Sequence, residues 1–423
     1  MKKRKSTEWN RLDNAAKIFP PNSKKSDSKV FRFVCKLNDP VDKRVLQQAL
    51  DVTIEAFPLY KSVIKSGLFW YYFERSDIKP IVTEESMPPC SPLFNRDKKG
   101  LLFRVIYYKS RISVEIYHAL SDGTGALQFL RTLVFHYILL KYPDSFQDNA
   151  PILDYDASKT QKMDDSFSRY YINKRSMKAK KRIPAYQIKG MKVAEYRIKV
   201  IEGIMPINDI MKIVKGHNTS LTIFLSALLM CSINEEIALR HKKYPVVLSI
   251  PVNLRRFFNS ETARNFFGVI NVSYNFSNYN GDINHVINHL QKSFKDNLTP
   301  EQLSQRINLL SSLEHNFLLR IIPLKIKDII LRIANNFADK GVTSTLSNVG
   351  KIDMPDEIKP FISSFDIFVS TDKLQACICS YDDKLRVSFT SAFMSTDIQR
   401  RFFRSLTSLG IPIDIITNKI DDE

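Results

Sequence analysis

The sequence predicts an α/β protein made of mixed-sheet sandwiches, and three observations lead to this fold class. Of the 423 residues, 44% are hydrophobic and 25% are charged, as expected for a folded globular chain. Segments with alternating apolar residues and segments with apolar residues at helical spacing follow one another in two groups. A polar stretch over 144–189, which has little periodicity, separates the groups. The sequence thus predicts a first half over 1–143, a connecting region over 144–189 and a second half over 190–423.

In the first half, runs rich in β-branched and aromatic residues predict strands. These runs are Lys29–Asn38, Tyr60–Ile64, Leu68–Phe73, Leu101–Lys109 and Arg111–His118. Apolar residues at helical spacing predict helices over Val41–Phe57 and Gly125–Tyr142. Asp39 and Pro40 fit the start of the first helix, an acidic cap followed by proline, and Pro58 ends it.

The second half repeats this mixture of strands and helices. Strands are predicted over Val193–Val200, Pro245–Val252, Gly268–Phe276, Thr343–Val349, Phe365–Thr371, Leu374–Tyr381 and Lys384–Phe393. Helices are predicted over Pro206–Lys215, Thr219–Arg240, Asn284–Asn297, Thr396–Leu406 and, with a break at Pro323, Pro300–Asp339. The shared pattern suggests two sandwiches of similar type.

The sequence predicts a cytoplasmic protein. The basic start Met1–Lys5 is not followed by the apolar region of a signal peptide. The most apolar segments, Ala126–Leu140 and Leu221–Ile233, are shorter than the roughly 18 residues a membrane span needs, so we interpret them as core helices. Five cysteines without a C-x-x-C pair indicate free thiols in a reducing compartment and no structural zinc site.

The chain is strongly basic, with 63 Lys and Arg against 44 Asp and Glu and a net charge of +19. Such a charge attracts anions: anionic lipid, an acidic carrier protein, or the phosphates of a cofactor such as coenzyme A. A solvated lysine-rich surface is the plain alternative. The basic runs at Lys2–Lys5 and Lys178–Arg182 are not interleaved with aromatic residues, so nucleic acid is not a predicted partner.

The motif that indicates chemistry is His118-x-x-x-Asp122-Gly123, which lies between a predicted strand and a predicted helix. Strand alternation places the imidazole of His118 on the buried face, which it shares with Ile112, Val114 and Ile116. A histidine aimed into a covered region, beside an acid and a glycine, fits a general base. The alternative is a core histidine next to an ordinary Asp-Gly turn.

Two further blocks accompany this motif. Ile250–Arg255 has the sequence IPVNLR and is followed by Asn265–Gly268, NFFG; later comes Leu346–Gly350, LSNVG. In this order the three blocks resemble the chloramphenicol-acetyltransferase-like superfamily of CoA-dependent acyltransferases. That superfamily includes alcohol acetyltransferases, polyketide-associated acyltransferases, plant acyltransferases and condensation domains of peptide synthetases. The resemblance implies two half-domains of this type with a tunnel between them.

The resemblance also implies a role for each matching residue. His118 is the expected general base. Asp122 is expected to turn away from the tunnel and pair with Arg255, and Gly123 to leave room for substrate. Ser347 or Asn348 is a candidate oxyanion donor, with ordinary polar residues at a strand end as the alternative.

Two departures favour the alcohol-acetyltransferase-like and polyketide-associated branches. Condensation domains usually have a second histidine where this chain has Tyr117, and the D-F-G-W-G block of plant acyltransferases does not occur. The expected reaction is direct transfer of an acyl group from acyl-CoA, as co-substrate, to an alcohol or amine. No permanent cofactor is expected. His285 and His289 are spaced for a metal, but they lack a third ligand nearby and are interpreted as exposed polar residues.

Two other functions stay open. The donor is alternatively a thioester on an acidic acyl carrier protein, to which a basic surface would dock, or the chain is a non-catalytic binding member of the fold. The sequence does not determine acyl chain length, the acceptor, the oligomeric state or whether the basic N-terminus contacts a membrane.

Overall fold

The structure is a computed structural model that describes residues 9–147, 151–155, 157–172, 184–195, 197–316 and 320–418. The two basic runs noted above, at Lys2–Lys5 and Lys178–Arg182, lie outside these residues. The strands are β1 (Trp9–Arg11), β2 (Val30–Leu37), β3 (Ser62–Ser66), β4 (Tyr71–Arg75), β5 (Thr83–Glu84), β6 (Phe103–Tyr108), β7 (Arg111–Tyr117), β8 (Lys199–Pro206), β9 (Val246–Asn253), β10 (Phe267–Tyr274), β11 (Ser344–Lys351), β12 (Ile362–Val369), β13 (Leu374–Tyr381), β14 (Lys384–Ser391) and β15 (Asp414–Thr417).

Helices alternate with these strands. They are α1 (Phe19–Asn22), α2 (Lys43–Thr53), α3 (Gly123–Lys141), α4 (Lys159–Lys162), α5 (Ser166–Arg169), α6 (Ile207–Gly216), α7 (Leu221–Glu235), α8 (Ile283–Asn297), α9 (Pro300–His315), α10 (Leu324–Asp339) and α11 (Asp397–Ser408). The predicted break at Pro323 is confirmed, since this proline precedes the first residue of α10. Its fixed φ and missing N–H suit the start of a helix and not its interior.

The described strands form three sheets. A seven-stranded sheet has the order β10-β9-β11-β13-β14-β8-β15, and a five-stranded sheet has the order β12-β2-β7-β6-β5. A small third sheet has the order β1-β4-β3. In the seven-stranded sheet β11 is parallel to β9 and β13, whereas β13 and β14 are antiparallel. The predicted α/β class with mixed sheets is therefore confirmed.

One strand joins the two halves of the chain. β12 comes from the second half, yet it pairs antiparallel with β2 and completes the five-stranded sheet, with Phe365 opposite Cys35. The five-stranded sheet thus contains strands from both halves of the chain. The half boundaries predicted from the sequence stay a prediction.

The two most apolar segments lie in the cores, as the sequence predicts. α3 packs on α2 and on the five-stranded sheet, and α7 packs against α8, α11 and β9. Among the described residues, no single helix is long and apolar enough to cross a membrane. The pair α6 and α7 together meets the length and composition criteria for a broken span, with a bend of 83°.

The predicted strand at Val193–Val200 is wrong in its position, because the observed strand β8 runs from Lys199 to Pro206. Its ladder to β14 sets the register, with Val200 opposite Thr390 and Pro206 opposite Lys384. Gly203 in this strand makes room for Phe403, whose ring a Cβ at this position would collide with. Pairing with β14 and packing against α11 therefore decide which residues form β8, and the local β-propensity of the sequence does not.

Candidate active site

His118 follows the last residue of β7 and continues the pairing of this strand with the start of β2. Its backbone N–H donates to the carbonyl of Lys29 at 2.8 Å. Its ring stacks on Phe19, with centroids 4.5 Å apart and planes 13° apart. Phe31 contacts the ring edge-on at 5.0 Å and Phe267 lies 5.5 Å away. Three phenylalanines from separate parts of the chain thus fix the plane of the imidazole.

Burial controls the electrostatics of His118. It lowers the pKa of the imidazole from 6.5, while its own backbone carbonyl, Asp122 and Asn265 oppose this change. The side chain is partly exposed, but Nδ1 is buried and has no hydrogen-bond partner among the described residues. Nε2 is therefore the nitrogen available to a reactant. A neutral imidazole with an accessible nitrogen is able to accept a proton.

Asp122 caps helix α3 and is buried, with 3% of its surface exposed. Its Oδ1 accepts from the N–H of Gly125 at 2.9 Å. Its Oδ2 accepts from Nη1 of Arg255 at 2.8 Å and from the N–H of Phe266 at 2.7 Å. The carboxylate is thus held by three donors and ties the start of α3 to the second half of the chain.

Arg255 uses its remaining donors on one loop of the second half. Nε and Nη2 donate to the carbonyl of Thr262 at 3.1 and 2.8 Å, and Nη2 also donates to the carbonyl of Arg264 at 2.7 Å. The guanidinium therefore fixes the chain that leads into Asn265 and β10. Breaking such a buried pair from one side leaves an uncompensated charge.

The two glycines after Asp122 have different surroundings. A Cβ on Gly123 would meet no atom within 4 Å, so this position borders open space. A Cβ on Gly125 would collide with the carbonyl of Ala263 and the hydroxyl of Ser121. Ser121 also donates to the same carbonyl at 2.5 Å. The first glycine leaves space beside the site, and the second permits the close approach of the two halves.

Ser347 and Asn348 lie on β11. Nδ2 of Asn348 donates to the hydroxyl of Thr222 at 2.9 Å, and its Oδ1 accepts from the N–H of Gly350 at 2.8 Å. Within the part of the chain that the structure describes, neither residue has a hydrogen bond or ring contact with His118. Asn348 therefore has a structural use, and the oxyanion role stays a prediction.

Asn265 is a site residue that sequence reasoning missed. It is buried, and its Nδ2 donates to the carbonyl of Ala119 at 3.3 Å and approaches Oδ2 of Asp13 at 3.5 Å. Its Oδ1 has no described hydrogen-bond partner, like Nδ1 of His118, and this side chain raises the pKa of the histidine. Asn265 is the first residue of the NFFG block. The block was visible in the sequence, but the role of Asn265 near the histidine was not.

The N-terminal segment also contributes to the site. Asp13 is buried, and burial raises its pKa to about 6, against the nearby charge of Arg264. Phe19, six residues further along, covers the imidazole of His118. No sequence pattern singles out these two residues, because their function depends on where the segment folds back.

The two histidines that are spaced for a metal lie outside this site. His285 and His289 are both exposed on α8, as interpreted from the sequence. Among the described residues there is no cluster of three His, Cys, Asp or Glu side chains that could hold a metal ion. The site around His118 is thus built from a histidine, a buried ion pair, an amide and aromatic rings.

Comparison with known proteins gives a family match and several structural neighbours. Residues 166–362 match the family model described as alcohol acetyltransferase. This segment contains Arg255, Asn265, Ser347 and Asn348, whereas the His118 motif precedes it. No curated protein sequence matches the chain significantly.

Solved structures match the chain over nearly its full length. F. graminearum TRI101, complexed with coenzyme A and T-2 mycotoxin, is 12% identical with a TM-score of 0.65, over 96% of this chain and 99% of that one. Polyketide synthase associated protein 5 from Mycobacterium tuberculosis is 13% identical with a TM-score of 0.59, over 94% and 96%. The first condensation domain of the CDA synthetase is 13% identical with a TM-score of 0.62, over 96% and 97%.

The fold and the family match together confirm the resemblance drawn from the three sequence blocks. The protein has the same two-lobed α/β fold as TRI101 and the condensation domain. The sequence of residues 166–362 is similar to alcohol acetyltransferases, and the whole fold is similar to the polyketide synthase associated protein and to the condensation domain alike.

Proposed function

We propose that the protein transfers an acyl group from acyl-CoA to an alcohol or amine, with His118 as the general base. The observation that carries this proposal is the half-buried His118, whose imidazole lies among three phenylalanine rings with its Nδ1 enclosed and its pKa lowered. It stands beside the open space at Gly123, at the junction of the two halves. This arrangement suits a reaction in which a thioester is already activated and the enzyme aligns and deprotonates the acceptor.

The proposed reaction is a direct transfer. Nε2 of His118 takes the proton of the acceptor O–H or N–H while the acceptor oxygen or nitrogen attacks the thioester carbonyl. The tetrahedral intermediate then collapses, the carbon–sulfur bond breaks, and the imidazolium returns its proton to the departing thiolate. The products are the ester or amide and free coenzyme A, and the histidine is again neutral.

The other residues act through position. The ion pair of Asp122 and Arg255 holds the turn that follows the histidine, and Asn265 holds Ala119, the residue after it, by a bond to the carbonyl of Ala119. Gly123 leaves room for the reacting groups. Ser347 or Asn348 is the proposed donor to the oxyanion, which requires Asn348 to exchange its bond to Thr222 for one to the intermediate.

Coenzyme A is the proposed donor for two reasons. The TRI101 structure contains this molecule, and a net charge of +19 favours its phosphates. The structural match to a condensation domain favours a second candidate, transfer from a thioester on an acidic carrier protein. We further propose a cytoplasmic location and no permanently bound cofactor.

The first experiment measures thiol release from acetyl- to palmitoyl-CoA by wild-type protein and His118→Ala, with and without added alcohols. Release that alcohols stimulate and the variant lacks supports the proposal and identifies the donor. Equal background release by both proteins overturns the CoA-dependent version. Turnover of acyl carrier protein but not of acyl-CoA then supports the second candidate, and inability to bind or use either thioester supports a non-catalytic role.

A further inference from the structure

Helix α10, Leu324–Asp339, has its apolar side directed outward. Five large apolar residues on it are exposed to solvent by 47–68% of their surfaces. They are Ile326, Ile329, Ile330, Ile333 and Phe337, which we call the outer face of α10. Their spacing puts them within about 100° of one another around the helix axis. The outer face is thus one continuous apolar stripe.

The opposite side of α10 buries charged residues. Lys327 is 6% exposed; its Nζ donates to the carbonyl of Phe69 at 2.9 Å and lies 3.4 Å from the ring centre of Trp70. Asp328 is 4% exposed and accepts from the hydroxyl of Tyr71 at 2.7 Å. These two anchors fix the rotation of the helix, so the apolar stripe cannot turn inward without stranding both charges.

Other amphipathic helices of the chain behave in the ordinary way. On α11 the apolar residues Ile398, Phe402, Phe403 and Leu406 are all less than 9% exposed. On α8 the residues Val286, Ile287, Leu290 and Phe294 are likewise buried. The outer face of α10 is therefore a departure within this molecule, and contiguous exposed apolar surface of this kind marks an interaction site.

The charges around the outer face indicate the kind of partner. Lys325 and Lys340 are exposed beside it, and Nζ of Lys340 lies over the ring of Phe337. Arg332 is also exposed, but its Nε donates to the carbonyl of Pro21 at 2.8 Å on the side of the helix that contacts α1. Neither carboxylate of the helix is exposed, since Asp328 is buried and Asp339 is partly buried. Two copies of the chain joined through this face would set like charges against each other. A surface with an apolar interior and anionic groups at its boundary with water would complement both the apolar stripe and the basic residues beside it.

We propose that the outer face of α10 binds the surface of an anionic lipid membrane, with the helix lying in the plane of the interface. Leu68, which is 72% exposed, extends the apolar surface at the start of the helix, where its carbonyl accepts from Leu324 at 2.9 Å. The other side of α10 contacts α1, and Phe19 of α1 covers His118. The membrane contact would therefore lie one short helix away from the candidate active site. The proposal does not depend on the proposed acyl transfer.

The test is co-sedimentation of the full chain with vesicles of phosphatidylcholine alone or with roughly one third phosphatidylserine. Wild type is compared with Ile329→Ser/Ile333→Ser, which keeps every charge. The matched control is Ile152→Ser/Leu239→Ser, which replaces two apolar residues that are 87% and 84% exposed elsewhere. Circular dichroism and melting temperature verify that all three proteins are equally folded.

We expect wild type and the control to bind the anionic vesicles more tightly than the neutral ones, and to release at high salt. The α10 variant should bind at least about tenfold more weakly, because two isoleucines no longer enter the interface. Three results overturn the proposal: no binding of wild type to either vesicle, equal binding of wild type and the α10 variant, or a wild-type dimer in sedimentation velocity that the α10 substitutions abolish.

Discussion

The junction around Asp122 and the helix α10 both bury charged side chains, but they present opposite chemistry to their surroundings. At the junction, Arg255 and Asp122 satisfy each other and the histidine beside them keeps one nitrogen accessible. On α10, Lys327 and Asp328 are anchored inside while an apolar stripe faces outward. In both regions, buried charged side chains hold a neighbouring group in place. At the junction that group is the proton-accepting histidine, and on α10 it is an exposed apolar surface.

The largest expected effect is on the reaction at the junction. His118→Ala should lower the rate of thiol release by about 10²- to 10⁴-fold, the contribution of a general base. The imidazole contacts Phe19, Phe31 and Phe267, so the melting temperature of the variant is measured beside its rate to verify that it is folded. Steady-state kinetics with the best acyl-CoA measures the loss. Full activity in the variant would remove the histidine from the mechanism.

The next effect concerns the anchor itself. Arg255→Ala should reduce the free energy of unfolding by about 3–5 kcal/mol, because Asp122 is left buried without its cation. The neighbouring Arg256 is exposed. Arg256→Ala is the matched control and should change the free energy by less than about 0.5 kcal/mol. Urea denaturation measures both, and equal effects would contradict a structural role for the ion pair.

A pair of identical substitutions probes the close contact of the two halves. Gly125→Ala should destabilise the protein by about 1–3 kcal/mol, because its methyl group would collide with the carbonyl of Ala263. Gly123→Ala should leave stability nearly unchanged and instead raise KM, because its methyl group would enter the open space. Thermal denaturation measures the effect on stability, and steady-state kinetics measures the effect on KM. A loss of stability in Gly123→Ala and a rise in KM in Gly125→Ala would contradict the assignment of open space to Gly123 and of close contact to Gly125.

The pH dependence tests the state of the histidine. His118 must be neutral to act as a base, and burial lowers its pKa from 6.5, so kcat/KM should rise with pH through a midpoint below 6.5 and then level off. Asn265→Ala should move this midpoint still lower, since Asn265 raises the pKa. An unchanged midpoint in the variant, or a wild-type midpoint above 6.5, would contradict this environment.

Substitutions on the outer face of α10 should have the smallest effect on stability, much smaller than substitutions on α11, whose apolar residues are buried. Ile329→Ser and Ile333→Ser should each change the free energy of unfolding by less than about 0.5 kcal/mol, because Ile329 is 55% and Ile333 52% exposed to solvent. Phe402→Ala on α11, a fully buried position, should cost about 3–5 kcal/mol. Similar losses at the two helices would mean that the outer face of α10 is covered in solution.

Much of the secondary structure was predictable from local patterns. Strands such as Leu374–Tyr381 and helices such as Leu221–Glu235 coincide with their alternating or fully apolar runs. The strand β8 was misplaced by about six residues, because its segment is selected by β14 and by the ring of Phe403. Short edge strands, such as Asp414–Thr417, were missed since all four residues are exposed and carry no burial pattern.

The candidate site divides in the same way. His118, Asp122 and Arg255 were predictable because the motif blocks name them, and the structure brings all three to one junction. Asn265, Phe19 and Asp13 were not, because the stacking of Phe19 on the histidine and the approach of Asp13 to Asn265 form only when distant segments fold together.

The α/β class, most of the helices and strands and the histidine motif follow from the amino-acid sequence alone, because periodicity and motif spacing are local properties of the chain. The sequence also predicts the helix that contains α10 and its break at Pro323. The side of α10 that faces solvent and the groups that surround the imidazole follow only from the folded chain. The physical reason is that the rotation of a helix and the pKa of a side chain depend on the free energy of contacts between residues far apart in the sequence.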